Sequence, residues 1–417
     1  MSRSTSLLLA ALVLGTPLAA TDGYFSHGYG TASKAMAGAT TALPHCSLSV
    51  SMNPAAAGFL GSQVNLGLAW FAPNRDYTVT GNPSMMPGTF GLAPGKVESG
   101  SKGFLVPSLG VTWKGGASWT LGVAVYGNGG MNTDYDAPTF GQKKTGVNLE
   151  QLFVSTTLGY RLDERHAVGA AVVLAHQSFK AEGLGAFGMM GFSADPANLT
   201  NNGTDTSMGA AFRVGYLGRL TQKFSLGASY QTRTKMGRFS KYAGLFAEGG
   251  SFDIPSTWNV GVAYRPIKGL ILALDQKHIG YSEVKAIANP MLPNLMAAKL
   301  GQAGGAGFGW KDVDVTKLGL EWKATPEWIL RAGYSVGSQP IPDSEVMFNI
   351  LAPGVIERQA TCGFTYLFED GRTLGFSASR ALSQEVSGAN PLEVPGQQRI
   401  SLRMDQWEFE FGYGFRF

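Results

Sequence analysis

The chain has 417 residues and a net charge of +4, with only 15% Asp, Glu, Lys and Arg and as many as 57 glycines. Ordinary soluble domains carry roughly 25% charge and about 7% glycine. So much apolar and aromatic material excludes a disordered chain, and the lack of basic runs points away from nucleic acid. Mean hydropathy is +0.01, and beyond the N-terminus no stretch reaches the ~18–20 uninterrupted apolar residues of a spanning helix.

Residues 1–20 read as a secretory signal peptide: Arg3, an apolar run from Leu7 to Leu14, then small residues leading to a cut after Ala20. Leu18 departs from the small residue expected three positions before that cut. Residues 21–62 lack alternation and are nearly uncharged, with only Asp22 and Lys34. Too compact for a domain and too apolar for a free tail, they are expected to fold into the following structure as a plug, or hatch.

From residue 63 to 417 the pattern has period two. In 117–127, Trp119, Leu121, Val123 and Val125 share one face while Thr120, Gly122 and Ala124 share the other, as in a strand and unlike a helix. Fourteen such runs follow one another, from Val64–Trp70 to Phe409–Phe417. The apolar phase of their cores contains no charged residue, whereas the opposite phase is small and polar, with Arg213, Asp275, Lys317, Glu321 and Arg331. An uncharged apolar outside around a small, polar inside describes a barrel in lipid. Trp113, Trp119, Tyr160, Trp322 and Trp328 near short turns, and Trp70, Tyr230, Trp258 and Tyr334 near long loops, fit its two interfacial girdles. Short turns such as 163–165 and 221–223 alternate with long loops near 80–101, 128–146, 181–207, 237–253, 282–309, 338–354 and 385–398. One phase slip, between Met404 and Trp407, predicts a bulge near Asp405–Gln406. The reading is therefore all-β: a 14-stranded antiparallel transmembrane barrel plugged by an N-terminal hatch, a lumen wide enough to need one.

Cys46 and Cys362 are too few for a disulfide scaffold and belong to no zinc motif. The five histidines pair by spacing with no carboxylate or nucleophile, and Gly301–Gly309 lacks the strand and helix of a phosphate loop. No catalytic residues, metal or cofactor are expected.

Gly-Tyr-Phe-Ser-His-Gly-Tyr-Gly-Thr at 23–31, followed by Asn53-Pro54-Ala55, resembles the start of mature transporters of the FadL/toluene-channel family. Further matches are Phe-Gly-Trp-Lys-Asp-Val at 308–313, Leu-Arg-Ala-Gly-Tyr-Ser at 330–335 and Phe-Asn-Ile-Leu-Ala-Pro-Gly-Val at 348–355, so the resemblance spans the mature chain. It implies a fourteen-stranded barrel with an N-terminal hatch containing Asn53, Pro54 and Ala55, and uptake of hydrophobic compounds across the outer membrane. A lateral opening in the third strand would fall near 117–128, and a capture groove between the third and fourth loops.

The residues offer two sites consistent with that implication. Leu184, Phe187, Met189, Met190 and Phe192, with Leu245 and Phe246 on another external connection, would make an external apolar groove, or simply pack loop against loop. Ten projected lumen cations face only four acids, which suits an amphiphile with a carboxylate head; Arg213 and Lys317, at mid-strand, are the candidate partners, unless they pair within the protein. The expectation is a non-enzymatic, monomeric channel, embedded among outer-membrane lipid and lipopolysaccharide, for passive uptake of long-chain fatty acids. Aromatic hydrocarbons are the alternative cargo, and a lipid hydrolase the alternative of another class.

Overall fold

The computed structural model describes residues 22–141 and 144–417; the signal peptide expected at 1–20 lies outside them. Strict alternation becomes fourteen long strands in chain order: β1 (Gln63–Thr80), β2 (Phe104–Lys114), β3 (Trp119–Tyr135), β4 (Thr145–Arg161), β5 (His166–Glu182), β6 (Asp205–Gly218) and β7 (Phe224–Gln231). They continue as β8 (Thr257–Tyr264), β9 (Leu270–Ile279), β10 (Val313–Lys323), β11 (Trp328–Gly337), β12 (Arg358–Leu367), β13 (Thr373–Ala389) and β14 (Arg399–Arg416). Each pairs antiparallel with the next, and β14 closes on β1 from Gln63↔Arg416 to Thr80↔Arg399. Closure leaves no sheet edge, the condition under which strands can cross hydrocarbon. Leu66, Leu68, Leu121, Leu158, Leu274 and Leu318 project outward and exposed, as do both aromatic girdles.

The strands run further than alternation predicts. β3 and β4 reach Tyr135 and Thr145, and β13 and β14 reach Ala389 and Arg399, leaving shorter loops there. Beyond the girdle the outer face meets no hydrocarbon, so the ladder continues without its apolar marker. The predicted bulge is also displaced. β14 pairs with β1 without interruption, and the register shift lies on β13, where Leu382 and Ser383 together oppose Asp405. Ile400, Leu402 and Met404 are inward and buried, on the same face as Glu408 and Glu410. The strand keeps its phase; the chemistry of the interior changes, because Ile400 and Leu402 join an apolar cluster with Val346 and Ile350 of the external loop after β11.

Residues 22–62 lie within this wall as short turns: a helix at Thr31–Ala35 and 3-10 turns at Ser47–Ser51 and Pro54–Phe59. Their backbone reaches the strands because the inward positions there are glycine. Gly159 pairs with Gly169 and Gly169 with Gly215; Gly227 pairs with Gly261, Gly319 with Gly333, and Gly67 and Gly375 with Gly412. A Cβ on Gly159 would stand 2.5 Å from Ala57 Cβ and 2.8 Å from Gly58 N, and one on Gly110 would stand 2.8 Å from Leu48 N. Gly169 meets the Pro54 backbone in the same way. Gly169→Leu is therefore expected to unseat the segment while the barrel still forms: unheated protein should keep its compact gel mobility while residues 22–62 become protease-sensitive. Gly304→Ala, whose Cβ would find nothing nearer than 3.5 Å, should change neither.

Candidate functional site

The two charges of the N-terminal segment each engage two opposite charges of the wall. Asp22, fully buried, accepts from Lys277 Nζ of β9 at 2.5 Å and Lys317 Nζ of β10 at 2.9 Å. Burial alone would raise its carboxyl, but Lys277 and Lys317 outweigh burial and hold it at about 2. Lys34 donates to Glu408 and, at 2.7 Å, to Glu410 of β14. His27 lies between these groups, with Gln359 Nε2 at 3.2 Å from Nδ1 and Ser379 Oγ at 3.4 Å from Nε2. Burial depresses the imidazole to about 4 despite Glu408, with Lys34 and Lys317 adding to the effect. It is thus neutral at pH 7, and its 3.7 Å approach to Glu408 is no ion pair. Asn53 fixes the other end of the segment: its amide donates to Thr41 O at 2.9 Å and Tyr216 O of β6 at 2.8 Å, while Oδ1 accepts from Ala55 N at 3.0 Å. Pro54 follows at the first turn position, where its missing N–H costs nothing.

Above this segment lies a cavity of about 480 Å³, floored by Tyr24, Phe25 and Tyr29 and walled by Phe71, Phe104, Tyr126, Leu149 and Met404. Its polar groups include Arg75, Asn132, Gln151 and Gln406, together with Lys34, Glu150, Glu408 and Glu410. The cavity continues through the wall. Pairing between β2 and β3 stops at Ser108↔Tyr126, although β2 extends to Phe104 and β3 to Tyr135. Pro107, the next residue of β2, has no N–H to carry the ladder on. Opposite it, Asn128 is an extra residue between Gly127 and Gly129. The bulged strand turns inward, where Ser26 N donates to Asn128 O at 2.8 Å, Gly130 N to Tyr24 O at 3.2 Å, and Tyr29 Oη to Asn128 Oδ1 at 2.9 Å. Outward-facing Leu105 and Leu152 consequently line the cavity beside Gly127, Gly129 and Gly130.

The family model described as outer membrane protein transport protein (OMPP1/FadL/TodX) matches residues 12–405. The chain belongs to this family. Its fold also resembles the FadL/TodX barrel: the Pseudomonas putida toluene transporter TodX matches at 19% identity and TM-score 0.69 over 94% of this chain and 99% of that one. A Pseudomonas aeruginosa FadL homologue matches at 15% and 0.70 over 95% and 100%, and the Ralstonia pickettii toluene transporter TbuX at 17% and 0.64 over 94% and 99%. No curated protein matches the chain in sequence.

Within this FadL/TodX barrel, the two candidate lumen cations pair within the protein. Arg213 donates to Ser51 O, to Gln231 and, at 3.2 Å, to Tyr126 Oη. Lys317 is closed by Asp22 and by His27 O at 2.7 Å. Neither lines the large cavity; both fasten the N-terminal segment, because mid-strand is where that segment sits. The external residues divide. Leu184, Phe187 and Phe246 are buried, and with Leu245 they surround a cavity of only about 30 Å³ against Phe308, Phe348 and Leu351. Phe192 is half-buried against the same cluster, while Met189 and Met190 are exposed. The groove is thus a nearly closed seam with methionines on its surface. The wall gap had a sequence signal, Pro107 facing the Gly127-Asn128-Gly129-Gly130 run, but only pairing places the two together.

Removing the charge of Asp22 strands two buried lysines, so Asp22→Asn should lower unfolding stability by about 3–5 kcal/mol in thermal or denaturant titrations. For His27, the unfolded chain takes up a proton from pH 6.5 downward but the folded chain only near 4. Its contribution is therefore complete above 6.5 and is lost as pH falls towards 4, by about 3 kcal/mol at most. His27→Gln should flatten that part of the stability–pH curve.

Proposed function

We propose that this outer-membrane protein carries hydrophobic small molecules inward by passive diffusion, with long-chain fatty acids as the lead cargo and no enzymatic step. The observation that carries this reading is the 480 Å³ cavity, apolar on most sides and continuous with the gap between β2 and β3. Its size falls within the roughly 300–1,000 Å³ of small-molecule sites. Cargo is captured at the seam of Leu184, Phe187, Leu245 and Phe246, for which exposed Met189 and Met190 form an adaptable apolar rim. It passes to the cavity above the hatch of residues 21–62 and leaves through the wall into the membrane. The signal peptide at 1–20 directs export, and the barrel works as a monomer surrounded by outer-membrane lipid and lipopolysaccharide.

Aromatic hydrocarbons are the second reading, favoured by the aromatic lining from Tyr24, Phe25, Phe71, Phe104 and Tyr126 and by two of the similar structures being toluene transporters.

Gram-negative cells lacking their own carriers, given this chain, should gain uptake of labelled oleate. Deleting Asn128, which removes the bulge from the β3–β4 register, should cut uptake at least about tenfold while purified protein still binds ligand. Uptake of toluene without oleate would establish the second reading; release of fatty acid from phospholipid vesicles by purified protein would instead mark a hydrolase.

A further inference from the structure

Among the cations that line the large cavity, Lys34 is closed by Glu408 and Glu410. Arg75 is different. It projects inward from β1 and is only 6% exposed, yet no carboxylate of the described residues lies within 4.0 Å of it. One guanidinium nitrogen, Nη1, donates to Asn132 O at 2.6 Å, and the cation stands 6.0 Å from the centre of the Phe71 ring. Guanidinium has five N–H donors in a planar fork; here one backbone carbonyl and one aromatic face serve a buried charge. None of the other Arg75 nitrogens is among the buried atoms left without a partner, so these donors face open space, where an anion can complete the fork. Arg75 lines the apolar cavity, whose wall includes Phe104 and Met404, and on its other side a polar pocket of about 200 Å³ with Asp76, Glu98 and Asp405, none of which pairs with it.

We propose that Arg75 is the head-group residue of this cavity and sets its specificity for an amphiphilic carboxylate, the acid docking on the free edge of the fork and its tail lying along Phe71 and Phe104. This rests on the transport reading above and deepens it, by moving head-group recognition from Arg213 and Lys317 to a residue that sequence alone did not single out. Planar, bidentate pairing with a carboxylate is the geometry that guanidinium offers and ammonium does not.

The test compares binding of labelled hexadecanoate and labelled hexadecanol, which share a tail, to purified detergent-solubilised protein. Arg75→Gln should weaken hexadecanoate by roughly tenfold to a hundredfold, the span of a lost charge-assisted hydrogen bond, and leave hexadecanol within about twofold. Arg75→Lys should fall between. Compact gel mobility of the unheated variants shows that each has folded. Equal weakening of both ligands, or an unchanged hexadecanoate affinity, overturns the assignment while leaving transport intact. If the native chain binds neither ligand, the transport reading itself fails and takes this one with it.

Discussion

A ring of glycines on the inner wall is the constraint on which the rest depends. A fourteen-stranded barrel encloses more space than its own side chains fill, and this chain fills it with residues 22–62. Those residues make turns whose backbone must touch the wall, and a single methyl group at Gly159 or Gly110 would forbid it. Part of the glycine excess that marks the composition thus lies where one part of the chain receives another. Polar contacts then fix the position: Asn53 at one end, and at the other two charge clusters of opposite sense, two lysines around Asp22 and two glutamates around Lys34. A segment with only two charges spends both on the wall.

This arrangement decides where chemistry is available. Mid-lumen charges are consumed by anchoring, so a ligand meets what lies above the segment: aromatic surface, amides, the closed Lys34–Glu408–Glu410 cluster, Glu150 and Arg75. The sign of the lumen's surplus charge says little about what a ligand encounters, because position along the strand separates anchors from lining.

The barrel was legible in the sequence because lipid is an intolerant solvent. Between the two girdles every outward position had to stay uncharged, and period two follows directly. Legibility fails where that solvent ends. Strands that climb past the girdle, as β3, β4, β13 and β14 do, lose the outer apolar face. Ile400, Leu402 and Met404 look like a lipid-facing run and are interior, because the upper interior is itself apolar. Arg213 and Lys317 could be placed inside by parity, yet their partners Ser51, Asp22 and His27 are distant in sequence and supply no periodic signal. The external apolar residues stand out by composition, but whether they enclose a groove or a seam depends on Phe308, Phe348 and Leu351 from other loops.

The extra residue in β3 has a thermodynamic side. A gap between strands at membrane depth exposes amides and carbonyls to a medium that offers them no partner, at several kcal/mol each. Here Asn128 O and Gly130 N turn inward and find theirs in Ser26 and Tyr24. The N-terminal segment acts at this point as a short substitute strand, so the window and the plug behind it form one hydrogen-bonded unit. Withdrawing the plug's first residues would strip that backbone of its partners, which ties any movement of residues 24–26 to a change in the window's own shape.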